Sequence, residues 1–124
     1  MRIILLLLVL LLPAASYAAE DTTIMEKEIQ HLFDYIQSSE CKFNRNGKWH
    51  TAEEAWKHIH TKYTYLAKKG RIDSTEQFIE RAASKSSMSG KPYMISCAKS
   101  DPITSAAWFT NELMNFREKN TVGR

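Results

Sequence analysis

The stretch of sequence that decides the fold is residues 38–50, Ser38-Ser39-Glu40-Cys41-Lys42-Phe43-Asn44-Arg45-Asn46-Gly47-Lys48-Trp49-His50. Its Asn46-Gly47 pair predicts a two-residue hairpin turn, because a type I′ turn needs positive φ at both central residues. Phe43 and Trp49 come from opposite arms of the hairpin, where we expect them to pack near each other on one face. The arms are short, and such a hairpin is only marginally stable alone. The segment must therefore lean on helices and, through Cys41, on another part of the chain.

Helices are predicted on both sides of this hairpin. Before it, apolar residues at helical spacing predict a helix that is capped by Thr22 or Thr23 and runs to about Ser38. After it, Thr51-Ala52-Glu53-Glu54 is a capping box that begins a second helix, and Gly70 is placed to end that helix. The hairpin thus connects two amphipathic helices.

The remaining sequence predicts two more helices and one more strand. Asp73-Ser74-Thr75-Glu76 begins a shorter helix that ends near Ser84, and Asp101-Pro102 begins the last helix. Between them lie a long polar loop and Tyr93–Cys97, which reads as a strand. The predicted fold class is α+β, with four helices around a small three-stranded antiparallel sheet and one disulfide.

The disulfide is predicted from the two cysteines, Cys41 and Cys97. Two cysteines far apart in the sequence of an exported protein usually pair. A redox-active pair needs close spacing such as Cys-x-x-Cys, which this chain lacks. We therefore predict a structural bridge that joins the hairpin to the third strand.

The first 18 residues predict a secretory signal peptide. A basic start at Arg2, an apolar run over Ile3–Leu12 and small residues up to Ala18 are typical of such a segment. The apolar run is shorter than the ~20 residues that a membrane-spanning helix needs. We expect cleavage after Ala18, with Ala19 as the alternative. Residues 19–124 would then be one domain in a bacterial periplasm, with no stable membrane insertion after cleavage.

Charge and histidine spacing argue against several function classes. The formal net charge is only +3, and acidic and basic residues are interspersed, which argues against a nucleic-acid partner. His58 and His60 are two residues apart in a predicted helix, so their rings point to different sides. A zinc pair on a helix needs a spacing of three or four. We expect no metal and no cofactor.

Residues along nearly the whole chain after the signal peptide carry a family resemblance. They are Ser39, Cys41, Phe43, Arg45-Asn46-Gly47, Trp49, Ala55, His58, Lys62-Tyr63, Tyr65, Phe78-Ile79, Ala83, Ser86-Ser87, Ser89-Gly90, Tyr93 and Cys97. In these residues the chain resembles the YfeK-like family of small exported bacterial proteins of unknown function. The resemblance implies a location and a fold, and it brings no assigned reaction.

Two turns of the chain are rich in hydroxyl and basic groups: the polar loop Ser84–Lys91 and the hairpin tip Arg45–Lys48. His58, which shares a helix face with Lys62 and Tyr65, is expected beside them. The candidate binding residues are Arg45, His58, Ser87, Ser89, Lys91 and Tyr93. The predicted function is a non-enzymatic binding or envelope-support module of the periplasm, with an envelope protein or lysozyme as candidate partners.

Two other functions fit the same loop. A cell-envelope hydrolase would use Ser87 or Ser89 as nucleophile and His58 as base, although the loop lacks the Ser-x-x-Lys and Gly-x-Ser-x-Gly patterns. The stretch from Ser89 to Tyr93 is also similar to the Ser-Gly-x-x-Tyr signature of exported bacterial lysozyme inhibitors. Both alternatives require the loop side chains to face outward.

Overall fold

Helices pack around a small antiparallel sheet in the computed structural model, which describes residues 17–98 and 100–122. In chain order the elements are α1 (Tyr17–Ser38), β1 (Lys42–Arg45), β2 (Lys48–His50), α2 (Ala52–Lys68), α3 (Thr75–Phe78), β3 (Met94–Ser96), β4 (Ile103–Thr104) and α4 (Ser105–Val122). The third helix continues past α3 as a π-helical turn, Ile79–Ala83. The predicted signal peptide lies outside the described residues, apart from the helical backbone of its last two positions.

The boundaries of α1 and α2 test two of the predicted caps. α1 begins at Tyr17, upstream of Thr22 and Thr23, so the cap predicted there is wrong. Thr51 caps α2 as predicted, because its hydroxyl accepts the backbone N–H of Glu54 at 3.2 Å. Gly70, with φ +69°, follows the end of α2 and donates its N–H to the carbonyl of Ala67 at 3.0 Å.

α3 is capped one residue later than predicted. The Ser74 hydroxyl accepts the backbone N–H of Gln77 at 3.1 Å, and the Gln77 side chain accepts the N–H of Asp73 at 2.7 Å. Aspartate and serine are both strong capping residues, so the sequence alone does not decide between adjacent ones. The shift frees the carboxylate of Glu76 to bind Arg117 at 2.5 Å instead.

The hairpin turn has the predicted backbone conformation, but its two aromatic residues are not arranged as predicted. Asn46 and Gly47 have φ of +53° and +83°, so the type I′ turn is confirmed. Phe43 pairs with His50 and Asn44 with Trp49. Because successive side chains alternate between the faces of a sheet, Phe43 and Trp49 lie on opposite faces. The predicted contact between them is wrong: Phe43 is buried and Trp49 is 46% exposed.

The sheet has four antiparallel strands in the order β2-β1-β3-β4, so the predicted count of three is wrong. The additional strand is Ile103–Thr104, which was assigned to the last helix. Its β-branched residues favour extended backbone, and Ile103 pairs with Ile95 of β3. α4 then begins at Ser105, where the Thr104 hydroxyl accepts the N–H of Ala107 at 3.2 Å. Thr104 therefore makes the cap contact that was predicted for Asp101.

The core lies between the sheet and the four helices. Its fully buried side chains of large volume include Leu32 and Ile36 of α1, Phe78, Ile95 and Phe109. The predicted Cys41–Cys97 disulfide is present and ties the start of β1 to the end of β3. The α+β class, the four helices and the bridge are thus confirmed. The core and the bridge together fix where the hairpin tip stands relative to α2.

A charged network holds α1, α3 and α4 together. The buried carboxylate of Glu28 accepts Nε of Arg117 at 2.6 Å and the hydroxyl of Thr75 at 2.7 Å. Burial opposes the ionisation of Glu28, but the hydrogen bonds from Arg117 and Thr75 outweigh it and hold the pKa of Glu28 below its ordinary value. The hydrogen bond from Arg117 likewise lowers the pKa of Glu76. One arginine thus joins two carboxylates from two helices.

Candidate functional site

An open groove of about 800 Å³ lies between the hairpin tip, α2 and the polar loop that follows the third helix. Its lining residues are Arg45, Asn46, Lys48, His50, His58, Thr61, Lys62, Tyr65, Ser86, Ser87, Met88 and Tyr93. This volume is in the range of small-molecule sites in proteins. We call this feature the tip groove.

The hairpin tip and the polar loop are hydrogen-bonded to each other through one side chain, Asn46. Its amide nitrogen donates to the Ser86 hydroxyl at 3.2 Å, and its amide oxygen accepts the Ser89 hydroxyl at 2.6 Å. Asparagine also tolerates the positive φ that the turn requires. Asn46 therefore both forms the hairpin turn and fixes the loop against it.

The polar loop is an ordered turn that is closed by backbone hydrogen bonds between its own residues. Lys85 and Pro92 form an isolated antiparallel bridge. Inside it, the N–H of Ser86 donates to the carbonyl of Lys91 at 3.0 Å, and the N–H of Gly90 donates to the carbonyl of Ser86 at 2.9 Å. Gly90 has φ +73°, which glycine adopts at little cost. These bonds make the loop one wall of the tip groove.

Within this loop, replacement of Ser89 and replacement of Ser87 should have different effects on stability. The Ser89 hydroxyl donates to Asn46 and accepts the N–H of Lys91 at 3.2 Å, while Ser87 is exposed and makes no side-chain hydrogen bond in the described part of the chain. We expect Ser89→Ala to lower the free energy of unfolding by about 1 kcal/mol and Ser87→Ala to change it by less than about 0.5 kcal/mol. Urea unfolding of both variants measures this; equal values would contradict the role of Ser89.

His58 lies at the inner end of the tip groove with both ring nitrogens engaged. Arg45 Nη1 donates to His58 Nδ1 at 2.5 Å, and His58 Nε2 lies 3.1 Å from the Tyr93 hydroxyl. A guanidinium has only donors, so Nδ1 accepts and the proton of the neutral ring sits on Nε2. Burial and the positive charges of Arg45 and Lys62 lower the pKa of His58. The ring is therefore held neutral, as a bridge between arginine and tyrosine.

This geometry does not provide the arrangement that a serine hydrolase needs. The hydrogen bonds of His58 go to Arg45 and Tyr93, and neither goes to a serine hydroxyl. Tyr93 itself is 4% exposed, and burial raises the pKa of its hydroxyl. The tyrosine of the Ser-Gly-x-x-Tyr stretch is buried and bonds to His58, whereas the serine is exposed and bonds to Asn46. The tyrosine therefore does not project outward as the inhibitor signature requires.

Lys62 forms the α2 side of the tip groove, four residues after His58. Its ammonium group donates to the carbonyl of Lys85 at 2.7 Å and lies 5.4 Å from the centre of the Tyr93 ring. Burial lowers the pKa of Lys62, and the charges of Lys85 and Arg45 lower it further. The lysine is thus held in place between the loop and α2.

The structure brings together four of the six predicted site residues. Arg45, His58, Ser87 and Tyr93 line the tip groove. Ser89, which is bonded to Asn46, and Lys91 are both exposed and lie outside its lining. The prediction missed four lining residues that lie outside the loop and the hairpin tip: His50, Thr61, Lys62 and Tyr65. Lys62 and Tyr65 share a helix face with His58, so the sequence held a signal for them.

Within residues 17–98 and 100–122, no three histidine, cysteine or acidic side chains come close enough to hold a metal ion. None of the helices in that part of the chain combines the length and apolar character needed to cross a bilayer.

The model of a family of unknown function, DUF5329, matches residues 23–117. The match covers most of the chain, so this protein belongs to that family.

A particular relative is the uncharacterized protein YfeK of Salmonella typhimurium, which is 46% identical over 57 residues. The aligned stretch covers 46% of this chain and 46% of the relative, so the match spans about half the length of the curated protein. No solved structure matches the chain at a significant level. The family resemblance predicted from the sequence is confirmed, and it carries no assigned function.

Proposed function

We propose that this protein is a non-enzymatic binding or envelope-support module of the bacterial periplasm, and that its ligand occupies the tip groove. The observation that carries the proposal is the preformed groove of about 800 Å³, whose walls are hydrogen-bonded to one another. A rigid site loses little conformational freedom when it binds, and pre-organisation of this kind favours affinity. The export signal predicted over residues 1–18 supports a ligand outside the cytoplasm.

The bonds across the groove support a role in binding. Asn46 joins the hairpin to the loop, Lys62 joins α2 to the loop, and Arg45 joins the hairpin to α2 through His58. Each of the three walls is therefore fixed to the other two. Met88, which is 97% exposed, and Tyr65, which is 59% exposed, add two large exposed side chains to the lining. A ligand would be positioned by the fixed polar groups and covered by these two.

The chemistry of the groove favours binding over catalysis. Catalysis by a serine needs an adjacent base to take its proton. His58 is engaged by Arg45, and a ring with a lowered pKa between two neighbouring cations is a weak base. The groups in the groove are suited to hold and orient a ligand, and no activated nucleophile stands among them.

Filling the groove with a bulky side chain tests the proposal. Thr61 lines the tip groove from α2, and Thr64 is exposed on the same helix outside the lining. Thr61→Trp should block a ligand, while Thr64→Trp makes the same substitution at a position outside the groove. We would incubate residues 19–124 and both variants with the small-molecule fraction of an envelope extract, then record native mass spectra.

A bound mass on the wild type and on Thr64→Trp, reduced at least about tenfold on Thr61→Trp, is the expected result. Near-ultraviolet circular dichroism would verify that both variants keep their tertiary packing. An equal bound mass on all three chains, or none on the wild type, would contradict the proposal.

A further inference from the structure

The tip groove has an unbalanced charge. Arg45, Lys48 and Lys62 line it, and its lining contains no aspartate or glutamate. Lys85 lies close enough for its charge to act on Lys62. The whole chain has a formal charge of +3, and removing these four positive charges leaves −1 for everything else. The excess of positive charge is therefore concentrated at this groove.

In the part of the chain that the structure describes, none of these cations forms an ion pair with an acidic side chain. The ion pairs in the described part of the chain join His31 to Glu112, His50 to Glu54, Lys57 to Glu53, and Arg117 to Glu28 and Glu76. None of them involves Arg45, Lys48, Lys62 or Lys85. Like charges held close together without a counter-charge oppose folding. Such an arrangement is typical of sites where a bound group supplies the missing charge.

Two of the cations are also held in place rather than free in solvent. Arg45 is fixed by His58, and Lys62 is fixed by the carbonyl of Lys85 and by the Tyr93 ring. An arginine uses one of its five N–H donors on His58, so a planar edge remains to bind two oxygens at once. A lysine beside it adds a point charge with further donors. Together these groups match the oxygens of a carboxylate or a phosphate.

We infer that the tip groove binds an oxyanion, a phosphate or a carboxylate, carried by a ligand considerably larger than the anion itself. The inference rests on the proposed function, since it names the chemistry of the ligand at the same site. The groove volume of about 800 Å³ far exceeds one phosphate or carboxylate. Ser87 and Tyr65 also line the groove, and their hydroxyls suit the hydroxyls of a sugar.

The test is calorimetric titration of residues 19–124 with three probes at low salt. Inorganic pyrophosphate supplies phosphate, tetragalacturonate supplies carboxylates on sugars, and maltotetraose is a neutral sugar. The groove variant is Lys48→Gln with Lys62→Gln, which keeps a side-chain donor at position 62. The control is Lys57→Gln with Lys119→Gln, two exposed lysines outside the groove lining. Both variants remove two positive charges.

We expect the wild type to bind at least one of the two anionic probes, and the stronger one identifies the kind of oxyanion. The groove variant should bind at least about tenfold more weakly, and the control should stay within about twofold. If the double variant does not fold, Lys48→Gln at the exposed hairpin arm should still weaken binding several-fold relative to Lys57→Gln.

Three results would overturn the inference: equal weakening in both double variants, binding of maltotetraose alone, or no binding of any probe. If maltotetraose binds alone and Thr61→Trp abolishes that binding, the groove remains a binding site and only the oxyanion assignment fails. Both proposals fail if, in addition, the wild type captures no ligand from the extract or Thr61→Trp leaves every captured ligand in place.

Discussion

Loss of the Cys41–Cys97 disulfide is expected to lower the free energy of unfolding by about 4 kcal/mol, because the bridge closes a long loop and so restricts the unfolded chain. The two cysteines are 56 residues apart in sequence. For a domain of about 100 residues this corresponds to a fall in melting temperature on the order of 15 °C or more. The bridge also joins β1 to β3, so its loss removes a constraint on the hairpin that forms one wall of the tip groove.

Thermal unfolding with and without reductant measures the effect. The wild type should melt much earlier when reduced, while Cys41→Ser with Cys97→Ser should melt at the lower temperature in both conditions. The double variant leaves no unpaired thiol and therefore controls for side reactions of the reductant. Equal melting of reduced and oxidised wild type would refute a stabilising role for the bridge.

Replacing Arg117 by alanine is expected to have the next largest effect. It leaves the carboxylate of Glu28, 8% exposed as a side chain, with Thr75 as its one remaining side-chain donor. Breaking a fully buried pair costs about 3–5 kcal/mol. The Arg117 side chain is 43% exposed, so water screens the pair, and we expect about 2 kcal/mol. The matched control is Lys57→Ala, which breaks an exposed pair with Glu53 and should cost less than about 0.5 kcal/mol.

The cost of Arg117→Ala should depend on pH in a defined direction. The pKa values of Glu28 and Glu76 are both lowered from 4.5 by Arg117, so their stabilisation is complete above that pH and is lost as pH falls through the lowered values. In the variant, burial favours the protonated form of Glu28, and the hydrogen bond from Thr75 is left to oppose it without Arg117. Urea unfolding at pH 7 and at pH 3.5 should therefore show the gap between wild type and variant narrowing with acid. A gap that is the same at both pH values would contradict this account.

Local chemistry predicted those elements of the fold that are decided within a few residues. The Asn46-Gly47 turn depends on two backbone angles, and the Thr51 cap depends on one hydrogen bond three residues away. Both predictions are confirmed. The strand Ile103–Thr104 was missed because its extended backbone depends on pairing with β3, and that pairing depends on the tertiary fold. The capping signature just upstream, Asp101-Pro102, indicated a helix at these residues rather than a strand.

The candidate site shows the same division between local and long-range information. Sequence reasoning gave the loop and hairpin tip as one surface, and it noted that Lys62 and Tyr65 share a face with His58. It did not show that Asn46 binds serines 40 and 43 positions away, because such partners depend on how the hairpin and loop meet. Ser89 therefore lies outside the groove lining. Ser87 lines the groove, and the sequence alone gives no reason to separate the two.

The central claim is that the tip groove holds the ligand, and amide shift mapping by nuclear magnetic resonance tests it most directly. Uniformly ¹⁵N-labelled residues 19–124 would be titrated with the small-molecule fraction of an envelope extract. The account predicts that the largest shift changes fall on amides at the groove, at Arg45, Lys62 and Ser87, and that Thr61→Trp suppresses them. Largest changes on another surface, for example around Met114 on α4, or changes that Thr61→Trp leaves intact, would contradict it.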